Sequence, residues 1–294
     1  MYKSLSSCGD QRTTAGRLVA HSASSGRKAV WVLWLTIVVA LMPPPAPLGD
    51  VAAQIVAAHP SPDTDDLGIA ERLDSSPAPE PLESYFGRRI APTMSFLGAD
   101  WLVRAERQRE ENCARMLHEL RLKPGMVVCD MGCGNGFYTL QMARQVGPRG
   151  KVLAVDIQPE MLRLLQARAD EAGIDNVHSV LGAVADPKLP VDQVDLILCV
   201  DVYHEFSHPE HMLRAMRRSL TDDGVLVLLE YREEDPQVPI LPLHKMSKKQ
   251  VLRELQPNGF RLVREFDELP WQHMMFFGRD KPGTDQRPAP AAEK

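Results

Sequence analysis

Two acids and three glycines set out the chemistry first. In "VVCDMGCGNGFYTL", residues 127–140, Asp130 closes an apolar run, and Gly132, Gly134 and Gly136 alternate behind it. Glycine at a strand end leaves bare backbone, which lets a bulky ligand come close. Asp156 closes the next apolar run, "VLAVDI", with Ile157 after it. A carboxylate at that place can accept both hydroxyls of a ribose, and Ile157 can cover one face of an adenine. A dinucleotide would ask for a third glycine where Phe137 stands, and Asp130 would repel a pyrophosphate. The pattern asks instead for a nucleoside with free ribose hydroxyls, positive charge and no phosphate. S-adenosylmethionine meets all three conditions. Taken singly, Asp156 also suits a helix cap and Asp186, before a proline, a turn; the spacing of the acids together favours the cofactor.

A second set of side chains could act on whatever lies beside that cofactor. "LILCV" runs out into Asp201, Tyr203, His204 and Glu205, and "VLVLLE" into Glu230, Tyr231 and Arg232. Residues 233–247 carry three prolines and His244, and read as a stiff loop that lies over a pocket as a lid. Trp271, Gln272 and His273 return to the same edge. Methyl transfer from a sulfonium is an in-line displacement, so positioning supplies most of the acceleration. A base is needed when the acceptor has a proton to lose, and His204, His244 and Glu205 are the candidates. "HEFSHPEH" offers His204, His208 and His211 for a metal, but no second ligand cluster adjoins them, and no metal is expected.

The elements that must hold these residues alternate along the chain. Strands are expected at "MVVCDMG", "KVLAVDI", "NVHSVLG", "VDLILCVDVY" and "GVLVLLEY". Helices fall at 101–121, 137–146, 159–173, 209–220 and 247–258, with Pro159 opening the third and Gly173 closing it. Such alternation gives a mostly parallel, doubly wound sheet with right-handed crossovers. "FRLVREFDEL" and "WQHMMFFGR" have no room for a crossover between them and must pair as an antiparallel hairpin. Ligands bind such sheets at the carboxyl ends of the strands.

From about residue 86 to 279 the chain resembles class I S-adenosylmethionine-dependent methyltransferases. The matching stretches are "CDMGCGNGFYT", "AVDIQPEML", "LGAVADPKLP", "VDLILCVDVYHEF" and "LTDDGVLVLLEY", the last with Thr221–Gly224 in place of the family's Lys-Pro-Gly-Gly turn. The resemblance implies a Rossmann-like α/β fold, a seven-stranded sheet with a C-terminal antiparallel strand. It implies that Asp186 bonds the adenine amino group, that Asp130 and the glycines hold the methionyl part, and that Asp201 lies near the donor. It also implies that Arg88–Glu111 folds over the cofactor, with Met94, Trp101 and Arg104 available to line the pocket. The acceptor implied is a small molecule, offering nitrogen, oxygen, carbon or sulfur.

Composition bounds the alternatives. The net charge of −5 and the lack of a long Lys/Arg block disfavour nucleic acid as partner. The five cysteines form no CxxC pair, and Cys129 and Cys199, inside apolar runs, read as buried thiols. Arg27 and Lys28 precede the apolar run Ala29–Met42, which suits an export signal with cleavage after Ala53, an N-terminal membrane anchor being the alternative and a cytoplasmic chain the third reading. Residues 54–85, rich in Pro, Ser and Asp, read as a flexible linker, 86–280 as the folded domain and 281–294 as a disordered tail. Two rivals to methyl transfer remain: a non-catalytic binding module on the same fold, and a NAD-type oxidoreductase.

Overall fold

The computed structural model describes residues 79–280. The apolar run 29–42, the cleavage point after Ala53, most of the expected linker and the expected tail lie outside them. Among the described residues, no helix is long and apolar enough to cross a membrane.

A twisted sheet carries the molecule. Its strands are β3 (Val127–Met131), β4 (Lys151–Asp156), β5 (Val177–Leu181), β6 (Val194–Val200), β7 (Leu220–Arg232), β9 (Phe260–Phe266) and β10 (Gln272–Arg279), after a small outlying pair, β1 (Ser84–Tyr85) with β2 (Arg88–Arg89). The order across the sheet is β5-β4-β3-β6-β7-β10-β9, and a two-residue strand, β8 (Lys245–Met246), adds to β7 beside it. β3 through β7 pair in parallel, and β10 runs antiparallel to both β7 and β9. The expected doubly wound sheet with its closing hairpin is therefore present, as seven strands in line. Chain order turns back between β3 and β6, and that switch point is where a crevice opens in such folds.

Both faces of the sheet are covered, which explains the unbroken apolar runs. On one face Cys129, Ile197, Cys199, Leu226 and Leu228 meet the helix Pro209–Ser219 through Met212, Leu213 and Met216. On the other, Val128, Leu198, Val227 and Leu229 meet Met116, Leu117, Met142 and Val146. Cys129 and Cys199 are indeed buried free thiols.

Three expectations change. The helix expected at 101–121 is a 3-10 turn (Phe96–Val103), a short helix α1 (Arg107–Glu111) and a second helix α2 (Cys113–Glu119). Asn112 breaks it at φ 51°, a left-handed conformation that asparagine tolerates. Its side-chain Oδ1 accepts from Arg115 N and caps α2. The apolar period survives the break, so the pattern hid it. The linker reading also runs too far. Pro79 O accepts from His208 Nε2, Leu82 N donates to Ser207 O, and Tyr85 is buried. Polar, proline-rich chain is ordered here because the domain offers its backbone partners. Finally, Thr221–Gly224 lies within β7 rather than before it, where the register against β6 shifts between Val194 and Leu196.

The remaining helices follow their caps. α3 (Thr139–Val146) rises from the glycine loop, α4 (Pro159–Glu171) starts on its proline, α5 (Pro209–Ser219) does the same, and α6 (Lys248–Leu255) is capped by Ser247, whose hydroxyl accepts from Gln250 N.

Candidate active site

A cavity of about 630 Å³ opens at the carboxyl ends of β3, β4 and β6. Its floor is the glycine loop, and two of the glycines are needed for different neighbours. At Gly132 (φ 69°) a Cβ would sit 2.4 Å from Val202 Cγ2, and at Gly134 (φ 54°) 2.5 Å from Leu102 Cδ1. Both line the cavity. Gly136 does not: a Cβ there would strike Leu165 Cδ1 at 2.1 Å, so this glycine lets α4 pack.

Asp156 lies in the cavity wall and organises the loop. Its Oδ2 accepts from Gly134 N and its Oδ1 from Gln158 N, each at 2.9 Å. Burial pushes its pKa up, and these backbone bonds pull against that. Ile157 beside it lines the same wall. Asp130 is placed differently from its expected role. It is buried behind the loop, outside the cavity wall, and accepts from Thr139 Oγ1. Burial pushes its pKa up to about 6. Asp186 is exposed, its Oδ1 accepting from Lys188 N, and Ala183 and Val184 line the cavity in its stead.

Asp201 lies in the wall with φ 49°. Gln272 Nε2 donates to its Oδ2 at 2.7 Å, while its buried Oδ1 has no partner. Burial, then the nearby Glu111 and Glu230, holds its carboxyl well above the usual range.

A strap from Pro92 to Leu102 crosses the cavity, as the resemblance implied. The backbone of Met94 is held at both ends: its N–H donates to Glu205 Oε2 at 3.3 Å and its carbonyl accepts from Gln158 Nε2 at 2.9 Å. Gln158 Oε1 also accepts from Phe96 N, and Asn135 Nδ2 donates to Ala99 O. Met94 and Trp101 line the cavity, but Arg104 does not; its guanidinium lies over the Trp101 ring and pairs with Glu110 and Glu111. Arg107 is the cation in the wall. It is buried, donates to Glu111 Oε2 and Leu102 O, and stacks against Phe137 and Tyr138. Tyr231 Oη donates to Glu111 Oε1 from the same wall.

The polar wall is a chain of three side chains. Glu230, fully buried at the end of β7, accepts Tyr203 N on Oε1 and meets His204 Nδ1 through Oε2 at 2.7 Å. His204 Nε2 lies 3.1 Å from His244 Nδ1. Glu205 Oε1 lies 4.0 Å from His204 Nε2. Burial, with His204 beside it, drops His244 to about 4, so this imidazole is neutral at physiological pH. Burial pushes Glu205 up to about 7. His204, Glu205 and His244 all line the cavity, and the lid loop contributes Ile240 with His244.

The other residues expected at this mouth are spent elsewhere. His273 is buried with Nε2 on Met246 O. Arg232 ties the β9–β10 turn through the carbonyls of Asp267, Leu269 and Pro270. Trp271 packs on Tyr231, Val238 and Ile240. His208 and His211 contact each other, away from His204. Sequence reasoning missed Gln158, Arg107 and the pairing of Glu230 with His204. The strand ending in Glu230 was visible, but its partner was not.

Known proteins resemble this chain over the same core. A family described as "Methyltransferase domain" matches residues 122–274. The ubiquinone/menaquinone biosynthesis C-methyltransferase UbiE of Vibrio vulnificus is 33% identical over 154 residues, 51% of this chain and 59% of that protein. Nocamycin O-methyltransferase of Saccharothrix syringae is 37% identical over 83 residues, 28% of this chain and 30% of that protein. The chain thus matches only about a third to three fifths of the length of these curated relatives. A SAM-dependent methyltransferase from Aquifex aeolicus superposes with a TM-score of 0.60 at 26% identity, over 63% of this chain and 98% of that structure.

Proposed function

We propose a function from one premise: the chain belongs to the class I S-adenosylmethionine-dependent methyltransferase family. On that premise the protein transfers a methyl group to a small-molecule acceptor bound in the 630 Å³ cavity.

The residues present fit the cofactor. Gly132 and Gly134 leave the loop without side chains where it meets the cavity, and Asp156 holds that loop in shape. Asp156 keeps lone pairs for ribose hydroxyls, and Ile157 and Val184 offer apolar surface for a base. The orphaned Oδ1 of Asp201 is a buried acceptor suited to an ammonium. Arg107 suits a carboxylate. Asp130, set behind the loop, contributes charge rather than contact. When bound, the cofactor supplies an electrophilic methyl group.

The chain's own side chains do the rest. The strap and the apolar residues Met94, Trp101, Phe206 and Met212 exclude water and orient the acceptor. Glu230 fixes the His204 ring with its Nε2 edge toward His244. The pair then takes a proton from the acceptor, with Glu205 beside it. Assistance of this kind is worth about 10²–10⁴-fold. The observation that carries this reading is that His204 and His244, backed by the buried Glu230, line the same cavity as the glycine loop. The names of the relatives support a small acceptor, one being a quinone-biosynthesis C-methyltransferase and the other an O-methyltransferase.

Calorimetric titration with S-adenosylmethionine, with NADH as control, tests the donor. Methyl-labelled donor incubated with small-molecule extract, then chromatographed for labelled product, tests transfer. Failure to bind the donor would sink the reading; binding without transfer to any fraction would favour a non-catalytic module. Export through residues 29–42 is a separate proposal, supported by their sequence pattern alone. The N-terminal residue of the native protein checks it, cleavage after Ala53 being the expected result.

A further inference from the structure

His204, Glu205 and His244 do more than form a proton path. Each offers a ligand atom, and these atoms lie within 4.8 Å of one another. We propose that they form a binding site for one divalent first-row transition ion, of the zinc or iron class, facing the acceptor end of the cavity.

Four observations carry this. First, the ligand set is two imidazoles and one carboxylate, which suits zinc or iron and not magnesium or calcium. Second, His204 Nε2 and His244 Nδ1 are 3.1 Å apart. In the metal-free protein an N–H of the neutral His244 ring bridges that gap, and an ion can take the place of that proton. An ion about 2.1 Å from each nitrogen would subtend roughly 95° between them, an ordinary angle for five or six ligands. Third, two of the ligands are already oriented by an outer partner. His204 presents Nε2 because Nδ1 is held by the buried Glu230, and Glu205 presents Oε1 because Oε2 is held by Met94 N. Metal-binding histidines almost always give their other ring nitrogen to an outer partner, a carboxylate being one of the usual kinds. Fourth, all three side chains line the cavity, which leaves room for an exogenous oxygen ligand. Glu205 Oε1, 4.0 Å from His204 Nε2, is within reach of an ion shared with the two nitrogens.

An acceptor hydroxyl bound to such an ion loses its proton at neutral pH, and the proton goes to solvent. The imidazoles would then serve as ligands, and the metal would do the acidifying. Metal binding itself does not rest on the methyltransferase reading.

The test uses the full chain without a histidine tag, stripped with chelator and dialysed anaerobically against Zn²⁺, Fe²⁺ or Co²⁺ in turn. Elemental analysis is expected to give about one ion per chain for at least one metal. Co²⁺ should show visible absorption bands of imidazole-ligated cobalt, perturbed when a phenol is added. His244→Ala, which alters a loop residue, and Glu205→Gln should each weaken the ion by 100-fold or more while donor binding stays within threefold of wild type. That retained donor binding shows that the variants are folded. Less than 0.1 ion per chain for every metal, or equal metal binding in both variants, overturns the proposal. Either result leaves the donor titration, and with it the methyltransferase reading, standing on its own.

Discussion

The two halves of the cavity are built in opposite ways. The half proposed for the donor comes from the loops after two adjacent strands: Gly132, Gly134, Asp156 and Gln158 all lie at the ends of β3 and β4, and backbone amides make most of the contacts. The half proposed for the acceptor is assembled from far-apart positions, with His204 reaching Glu230 at a separation of 26 residues and His244 at 40, and side chains make the contacts. A backbone site tolerates little change in shape but survives many changes of side chain. A side-chain site is the reverse, and it is where acceptor choice can be altered without rebuilding the fold.

Four substitutions would break or sharpen that contrast. Gly134→Val is expected to have the largest effect. It forces a branched side chain onto φ 54° and into Leu102, so donor affinity should fall 1,000-fold or more by calorimetry, with circular dichroism unchanged. His204→Asn comes next. Turnover should drop about 10²–10³-fold while donor affinity moves less than threefold; a parallel loss of donor binding would mean that the halves are not separable.

Asp130→Asn probes the charge behind the donor half. Its carboxyl is raised to about 6 from the model-peptide value of 3.8. The folded protein therefore binds this proton more tightly than the unfolded chain, so the group is best tolerated below about pH 4, and its cost grows as pH rises through 6. The stability of Asp130→Asn relative to wild type should improve by up to about 3 kcal/mol between pH 4 and pH 8, read by denaturant unfolding at each pH. A flat difference would mean that the carboxyl titrates normally. Gln158→Ala should have the smallest effect. It removes two hydrogen bonds to the strap, about 1 kcal/mol net or roughly fivefold in donor affinity, and proteolysis between residues 92 and 102 should speed up.

The same contrast explains what could be read from the chain. Asp130, the glycines and Asp156 were legible because a strand end followed by glycine is a local signal. So was the closing hairpin, since the short gap between its strands forbids a crossover. Yet local spacing misassigned function within that group. Asp130 bonds Thr139 instead of facing the cavity, and Gly136 exists for Leu165. His204, Glu205 and His244 were legible as residues leaving one sheet edge, but topology gathers more there than chemistry uses. His273 and Arg232 reach the same edge and are spent on carbonyls. Arg104 and Arg107 differ by three positions and both pair with the buried Glu111, yet only Arg107 enters the wall. No periodicity carries that information.

The Met94 peptide has a kinetic consequence. Its carbonyl is fastened to the residue that follows the Asp156 turn, and its amide to Glu205 in the polar wall. On the proposed reading, lifting the strap to exchange a spent cofactor would also free Glu205, and loosening Glu205 to discharge a methylated product would unfasten the strap. Both departures would then pass through one gate, and the residence times of the two products would rise and fall together.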